Sequence, residues 1–211
     1  MSDQREGYIR EINGPILRIH LPGGRNGEQV RIGSLNIVGE IIALDGSDAI
    51  VQAYESTEGL RPGESVSGLG HPLTVELGPG LLQGIFDGVQ RPLGEIAQLA
   101  GDNIPRGLQV NSLDRDRAWP FEPNEALECG VQIGPGTRLG AVEETETIEH
   151  RVLVPPDISG ELIDLAPAGD YTLEQTIARV RDAHGEVHKL KLYHRWPVRQ
   201  PRPYTQRDHG V

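Results

Sequence analysis

The sequence predicts a mostly β protein: two small β domains with a short, partly helical connector between them. Three observations lead there. Apolar and polar residues alternate in short runs such as ILRIHL and TIEHRVLV, the pattern of half-buried strands. Gly- and Pro-bearing turns separate these runs at short spacing. Apolar spacing changes to three and four only from Leu81 to about Ala100.

In the first seventy or so residues, Leu17, Ile19 and Leu21 alternate with Arg18 and His20. NIVGEIIALDGSDAIVQAYE reads as a hairpin turning through Asp45-Gly46-Ser47-Asp48. PLTVEL repeats the alternation with Leu73, Val75 and Leu77. Five or six such strands suggest a small closed barrel, which removes unpaired edges. Between Leu81 and Ala100 short helical turns are expected, with Pro92 interrupting any continuous helix. GDNIPRGLQVNSLDRDRAWPFEPNE is rich in turn formers and reads as a long connection.

A second β region follows, from about Glu122 to Val198. Ile148, His150, Val152 and Val154 share one strand face, and turns at Gly134-Pro135-Gly136, Pro155-Pro156-Asp157 and Ala168-Gly169-Asp170 suit another barrel or a sandwich. Thr172-Leu173-Glu174-Gln175 has the form of a capping box that would start a helix, with a strand as the competing reading.

The stretch GPGLLQGIFDGVQRPL, residues 78–93, is dense enough in glycine to invite comparison with a phosphate loop. It fails the comparison. No lysine or hydroxyl stands where a P-loop requires one, and Gly78, Gly80 and Gly84 put the third glycine one position too late for a dinucleotide fingerprint. Turns and close packing are the expected role.

His184, His188 and His194 could share a face in a hairpin and bind zinc, although solvated strand positions are the simpler reading. His150 is expected to be a hydrogen-bonded core residue, and Cys129 lacks the basic neighbours that activate a thiol. The run Glu143-Glu144-Thr145-Glu146 reads as a solvated turn. Trp119 and Phe121 bracket Pro120 at the edge of the irregular segment, where aromatics anchor a domain junction or a partner surface. No nucleophile elbow or other catalytic constellation emerges.

The net charge of −11 argues against nucleic acid as a partner. No apolar run reaches the roughly 20 residues that span a bilayer, and MSDQREGYIREING carries charges where a signal peptide is apolar. The lone Cys129 fits a reducing compartment. A cytoplasmic, soluble chain is the expectation.

PLTVELGPGLLQGIFDGVQRPL, followed in order by DNIPRG, RDRAWPF, VPPDISGELIDLAPAGDYT and YHRWPVRQPRP, closely resembles the N-terminal part of the catalytic A subunit of V-type and archaeal-type rotary ATPases. The resemblance runs from Gly7 to about Tyr204. It implies a six-stranded β-barrel at residues 1–72 and a connector at 73–114, the edge of a nucleotide-binding domain. An inserted, barrel-sandwich-like "bulge" domain follows at 115–198, then an extended tail at 199–211. It further implies a barrel that joins a crown of alternating A and B subunits, and a bulge that meets peripheral-stalk subunits. The complex would be peripheral to the membrane and would couple ATP turnover to proton or sodium transport. In that family the bulge has a lipoyl-domain-like character, which Gly160 to Asp170 fit here. A carrier role would need a modifiable lysine on an exposed hairpin, a position the sequence alone assigns to neither Lys189 nor Lys191.

In that family RWPVR-x-x-RPY leads on to the P-loop and the catalytic glutamate, whereas these residues stop at Val211. The expectation is therefore a non-catalytic N-terminal portion with no cofactor of its own, ATP and Mg belonging to the full-length protein. Truncation, a split gene and a stand-alone regulatory or assembly paralogue would all fit. Leu81, Leu82, Phe86, Arg91, Trp119 and Phe121 are the expected interface residues. Leu81, Leu82, Ile85 and Phe86 would pack on the nucleotide-binding domain, or find other cover or stay exposed.

Overall fold

The computed structural model describes residues 5–101 and 105–202. The expectations for DNI at 102–104 and for the tail beyond Arg202 lie outside the described residues. The chain divides into two units, Met1–Val75 with Phe86–Val110 and Pro197–Arg199, and Glu76–Ile85 with Asn111–Trp196 and Gln200–Val211.

The first unit is built on six strands, β1 (Arg5–Asn13), β2 (Ile16–His20), β3 (Glu28–Ile32), β4 (Ile37–Asp45), β5 (Asp48–Ala53) and β6 (Ser65–Pro72). They close into a barrel in the order β1-β2-β5-β4-β3-β6, every pair antiparallel and β6 returning to β1. Closure leaves the barrel without free edges. Leu17, Ile19 and Leu21 point inward as their alternation requires, and they meet Ile9, Val30, Ile32, Ile41, Val51 and Val66 in one core. Asp45 pairs with Asp48, so β4 and β5 are joined by a two-residue turn with Gly46 at φ 61°. Register shifts at Ile9/Glu11, Glu28/Val30 and Ile41/Ala43 mark the bulges that let a small barrel curve shut.

The barrel's sixth strand is thus SVSGLGHP and not PLTVEL. The latter forms β7 (Thr74–Leu77), which pairs with β16 (His194–Pro197) in a two-stranded ladder. Its buried residue is Glu76 and not an apolar one, because Arg115 Nη2 reaches both carboxylate oxygens at 2.6 and 2.5 Å. Arg115 also lies over the Tyr193 ring, 4.3 Å from its centroid.

The stop at Pro92 is real. A single 3-10 turn covers Leu81–Gln83, and α1 (Leu93–Ala100) starts after Pro92, where a missing N–H is not needed. Gly101, at φ 66°, ends it.

The second unit stacks its core around two four-stranded sheets, in orders β11-β10-β8-β13 and β15-β14-β12-β9. The strands are β8 (Ala118–Pro123), β9 (Gln132–Ile133), β10 (Arg138–Thr145), β11 (Ile148–Leu153), β12 (Gly160–Leu165), β13 (Gly169–Thr172), β14 (Ala178–Arg181) and β15 (Val187–Leu190). Trp119, Phe121, Leu139, Val142, Leu162 and Val180 are central to that core.

Three expectations are corrected here. The supposed long connection ends in strand β8, so the β region starts at Ala118. The capping-box residues form a turn and not a helix. Gln175 Oε1 does accept the Thr172 N–H at 2.7 Å, but the chain then enters β14 after a few residues. Val152 on β11 and Val154 just beyond it are buried, while Ile148 at the start of β11 is exposed.

Candidate functional site

The glycine-rich stretch offers the first test of function. Gly80 stands at φ 105°, a conformation that suits glycine and turns the backbone tightly. The amides that would have to face a phosphate are already committed. Gly80 and Leu82 N–H both donate to Glu144 Oε1, at 2.7 and 3.1 Å. Glu144 is 5% exposed on β10, two residues after Val142, and is no part of a solvated turn. Period-2 counting from Val142 was the available signal. His150 Nδ1 lies 3.8 Å from the same carboxylate. Burial lowers the His150 pKa, Glu144 pulls it back up in part, and Arg202 lowers it. His150 is therefore a half-buried electrostatic neighbour of Glu144 and not the hydrogen-bonded core residue expected, since 3.8 Å is beyond hydrogen-bond reach.

Arg91 apart, the residues expected at an interface or against the nucleotide-binding domain fall into three groups. Leu82 (59% exposed) and Ile85 (75%) stay on the surface. Leu81 packs against the second unit's core, and Phe86 bridges to Pro92. Trp119 and Phe121 are core residues, 2% and 1% exposed, and present nothing to a partner. The pattern A-W-P-F-E alternates cleanly along β8, but the proline disguises it as a loop.

Arg91 is held within the first unit. Its Nε donates to Asp87 Oδ2 at 2.7 Å and its Nη1 lies 3.3 Å from Glu55, whose Oε2 also accepts the Gly107 N–H at 2.8 Å. Asp87 Oδ1 accepts the Val89 and Arg91 backbone N–H groups at 3.0 and 2.9 Å. Burial alone would raise the Asp87 carboxyl, but these N–H groups and the Arg91 guanidinium together bring it below its ordinary 3.8.

A depressed folded-state pKa stabilises the fold above the unfolded value and is lost as pH falls through the folded one. Asp87→Asn should therefore shrink the loss of thermal stability on acidification below pH 3.8. Melting followed by circular dichroism at neutral and acid pH measures it, and identical acid limbs for the two proteins would contradict the assignment.

The three candidate histidines are not brought together. His184 is exposed in the turn between β14 and β15, His188 lies on β15 and His194 on β16. Burial, helped by Arg202 and His150, pushes His194 down to about 4, so it is neutral at pH 7, and its buried Nε2 has no hydrogen-bond partner among the described residues. It borders a pocket of about 480 Å³ that also takes in Asp157, Lys189, Lys191, Tyr193 and Arg195. His188 instead meets two carboxylates, Asp182 and Glu186, which sequence reasoning missed.

Comparison with known proteins follows the same division. The β-barrel domain of the ATP synthase alpha/beta family matches residues 9–70, and the ATPsynthase alpha/beta subunit barrel-sandwich domain matches residues 110–199. The V-type ATP synthase alpha chain of Nitrosococcus oceani is 56% identical over 205 residues, 97% of this chain and 35% of that protein. The A subunit of the A-type ATP synthase from Thermococcus onnurineus is 48% identical over 95% of this chain and 34% of its own length. That of Methanopyrus kandleri is 46% identical over 98% and 35%. The chain thus spans about a third of the length of these relatives. The assembled ATPase EscN of the enteropathogenic E. coli type III secretion system aligns over 62% of this chain and 29% of its own, at 25% identity and a TM-score of 0.39. With its barrel and its barrel-sandwich unit each matched in turn, the chain belongs to the ATP synthase alpha/beta family.

Proposed function

We propose that these residues serve as the N-terminal, non-catalytic part of the A subunit of a V-type or A-type rotary ATPase. The barrel contributes to the crown formed with B subunits, and the barrel-sandwich unit contacts the peripheral stalk. The complex works at the membrane surface, on its cytoplasmic side, and couples ATP turnover to proton or sodium movement. The observation that carries this reading is 46–56% identity to such proteins across nearly the whole chain. Leu82 and Ile85 support it, since two large apolar side chains exposed three residues apart are suited to being covered by another domain. The glycine stretch supports the non-catalytic part of the reading, because its amides serve Glu144.

Mixing the 211-residue chain with the cognate B subunit tests the proposal. Co-elution on size exclusion is expected, with no micromolar binding of Mg-ATP to the chain alone by calorimetry. A chain that ignores the B subunit, or that binds ATP at micromolar concentration by itself, overturns it.

A further inference from the structure

The hairpin of β14 and β15 carries an arrangement that assembly does not call for. Its turn closes through Asp182 N–H to Glu186 O at 2.9 Å and Gly185 N–H to Asp182 O at 3.1 Å. The register pairs Ala178 with Leu190 and Val180 with His188. Residues 178, 180, 182, 186, 188 and 190 therefore share one face of the hairpin. Ala178, Val180 and Leu190 are buried in the core. Where that core ends, the same face continues with Asp182, Glu186 and His188. One donor atom from each lies within 4.8 Å of the other two.

Asp182 is oriented before any ligand arrives. Its Oδ1 accepts the backbone N–H groups of His184 and Glu186, both at 2.9 Å, which fixes the carboxylate plane. Its Oδ2 is left facing His188 Nε2 at 3.0 Å. Backbone donors holding the outer oxygen of a carboxylate are what orients such a ligand in metal sites. Two carboxylates and one imidazole suit a divalent first-row ion such as Zn²⁺, which takes bonds of about 2.0 Å to each. They are too few oxygens for Ca²⁺, which takes roughly six to eight.

We propose that Asp182, Glu186 and His188 form a solvent-open site for a divalent transition ion, Zn²⁺ being the probe of choice, which staples the two strands of the hairpin at the rim of the core. The ion takes the place of the direct Asp182–His188 contact. It needs the Nε2 lone pair, so the single proton of the neutral ring sits on Nδ1. Water fills the remaining coordination. His184, at the tip of the same turn, and His194, on β16, are not ligands.

Untagged, chelator-stripped chain titrated with Zn²⁺ in a calorimeter should bind one equivalent in the micromolar range. His188→Gln and Asp182→Asn should each weaken that binding at least tenfold, with circular dichroism unchanged. Asp182→Asn keeps an acceptor for the two turn N–H groups, so the hairpin survives. His184→Gln should leave the affinity within twofold of the parent. Co²⁺ in place of Zn²⁺ should give a visible absorption band that His188→Gln abolishes. The proposal is overturned by an absence of binding at millimolar Zn²⁺, by unchanged affinity in His188→Gln, or by loss of binding in His184→Gln.

Discussion

Phe121→Ala is expected to destabilise the second unit by about 3–5 kcal/mol, the usual range for emptying a buried phenylalanine site. The ring is fully enclosed. It meets Tyr171 edge-on, with centroids 6.0 Å apart and planes at 88°, and it lies against Gly140 so closely that a Cβ there would come within 2.5 Å of it. Phe121 pairs with Val142 of β10 on one side and Gly169 of β13 on the other, so the cavity would open inside a paired sheet that has little room to collapse. The readout is selective, because both tryptophans, Trp119 and Trp196, belong to this unit. Urea unfolding followed by tryptophan fluorescence should shift to a markedly lower midpoint, and Phe121→Leu should shift less. A midpoint that hardly moves would return Phe121 to the partner surface that its sequence context suggests.

The second large effect is in the barrel. Gly7 sits on β1 opposite Val66 of β6, and a Cβ built on it would overlap the carbonyl oxygen of His20 on β2. The obstacle is backbone, which cannot rotate aside as a side chain can. Gly7→Ala should therefore cost about 3 kcal/mol or more, at or beyond the top of the range for overpacking. Hydrogen exchange should show lost protection in β1, β2 and β6. Gly94→Ala is the control, since nothing among the described residues lies within 4 Å of its Cβ and the position is helical, where alanine is favoured by about 1 kcal/mol. Equal protection in the Gly7 variant and the parent would show that β1 can shift outward without opening the barrel.

Much of the fold was legible because it rests on local rules. The alternation of Leu17, Ile19 and Leu21 marks one strand face. Asp45 to Asp48 has the length of a hairpin turn, and Pro92 marks where a helix can begin. What escaped depends on contacts between residues far apart in the chain. Glu76 and Glu144 look like surface acids in any short window, and they are buried because Arg115 and the amides of Gly80 and Leu82 reach them from 39 to 64 residues away. Thr172 and Gln175 make the hydrogen bond of a helix start, yet the pairing of β13 and β14 in two different sheets overrides it. The candidate metal ligands were half legible. The histidine at 188 was singled out, but its partners are set by hairpin register, which brings Asp182 beside it across the turn.

The grip of Glu144 on the glycine-rich loop has a thermodynamic consequence for docking. Because one carboxylate anchored in a strand already immobilises the amides of Gly80 and Leu82, the ridge carrying Leu82 and Ile85 is ordered before any neighbour reaches it. A domain docking there as proposed would lose little of its binding free energy to freezing that backbone, since the entropy of ordering was surrendered during folding. Loosening Glu144 would leave the apolar side chains in place and still weaken what they bind, through entropy rather than through any lost contact.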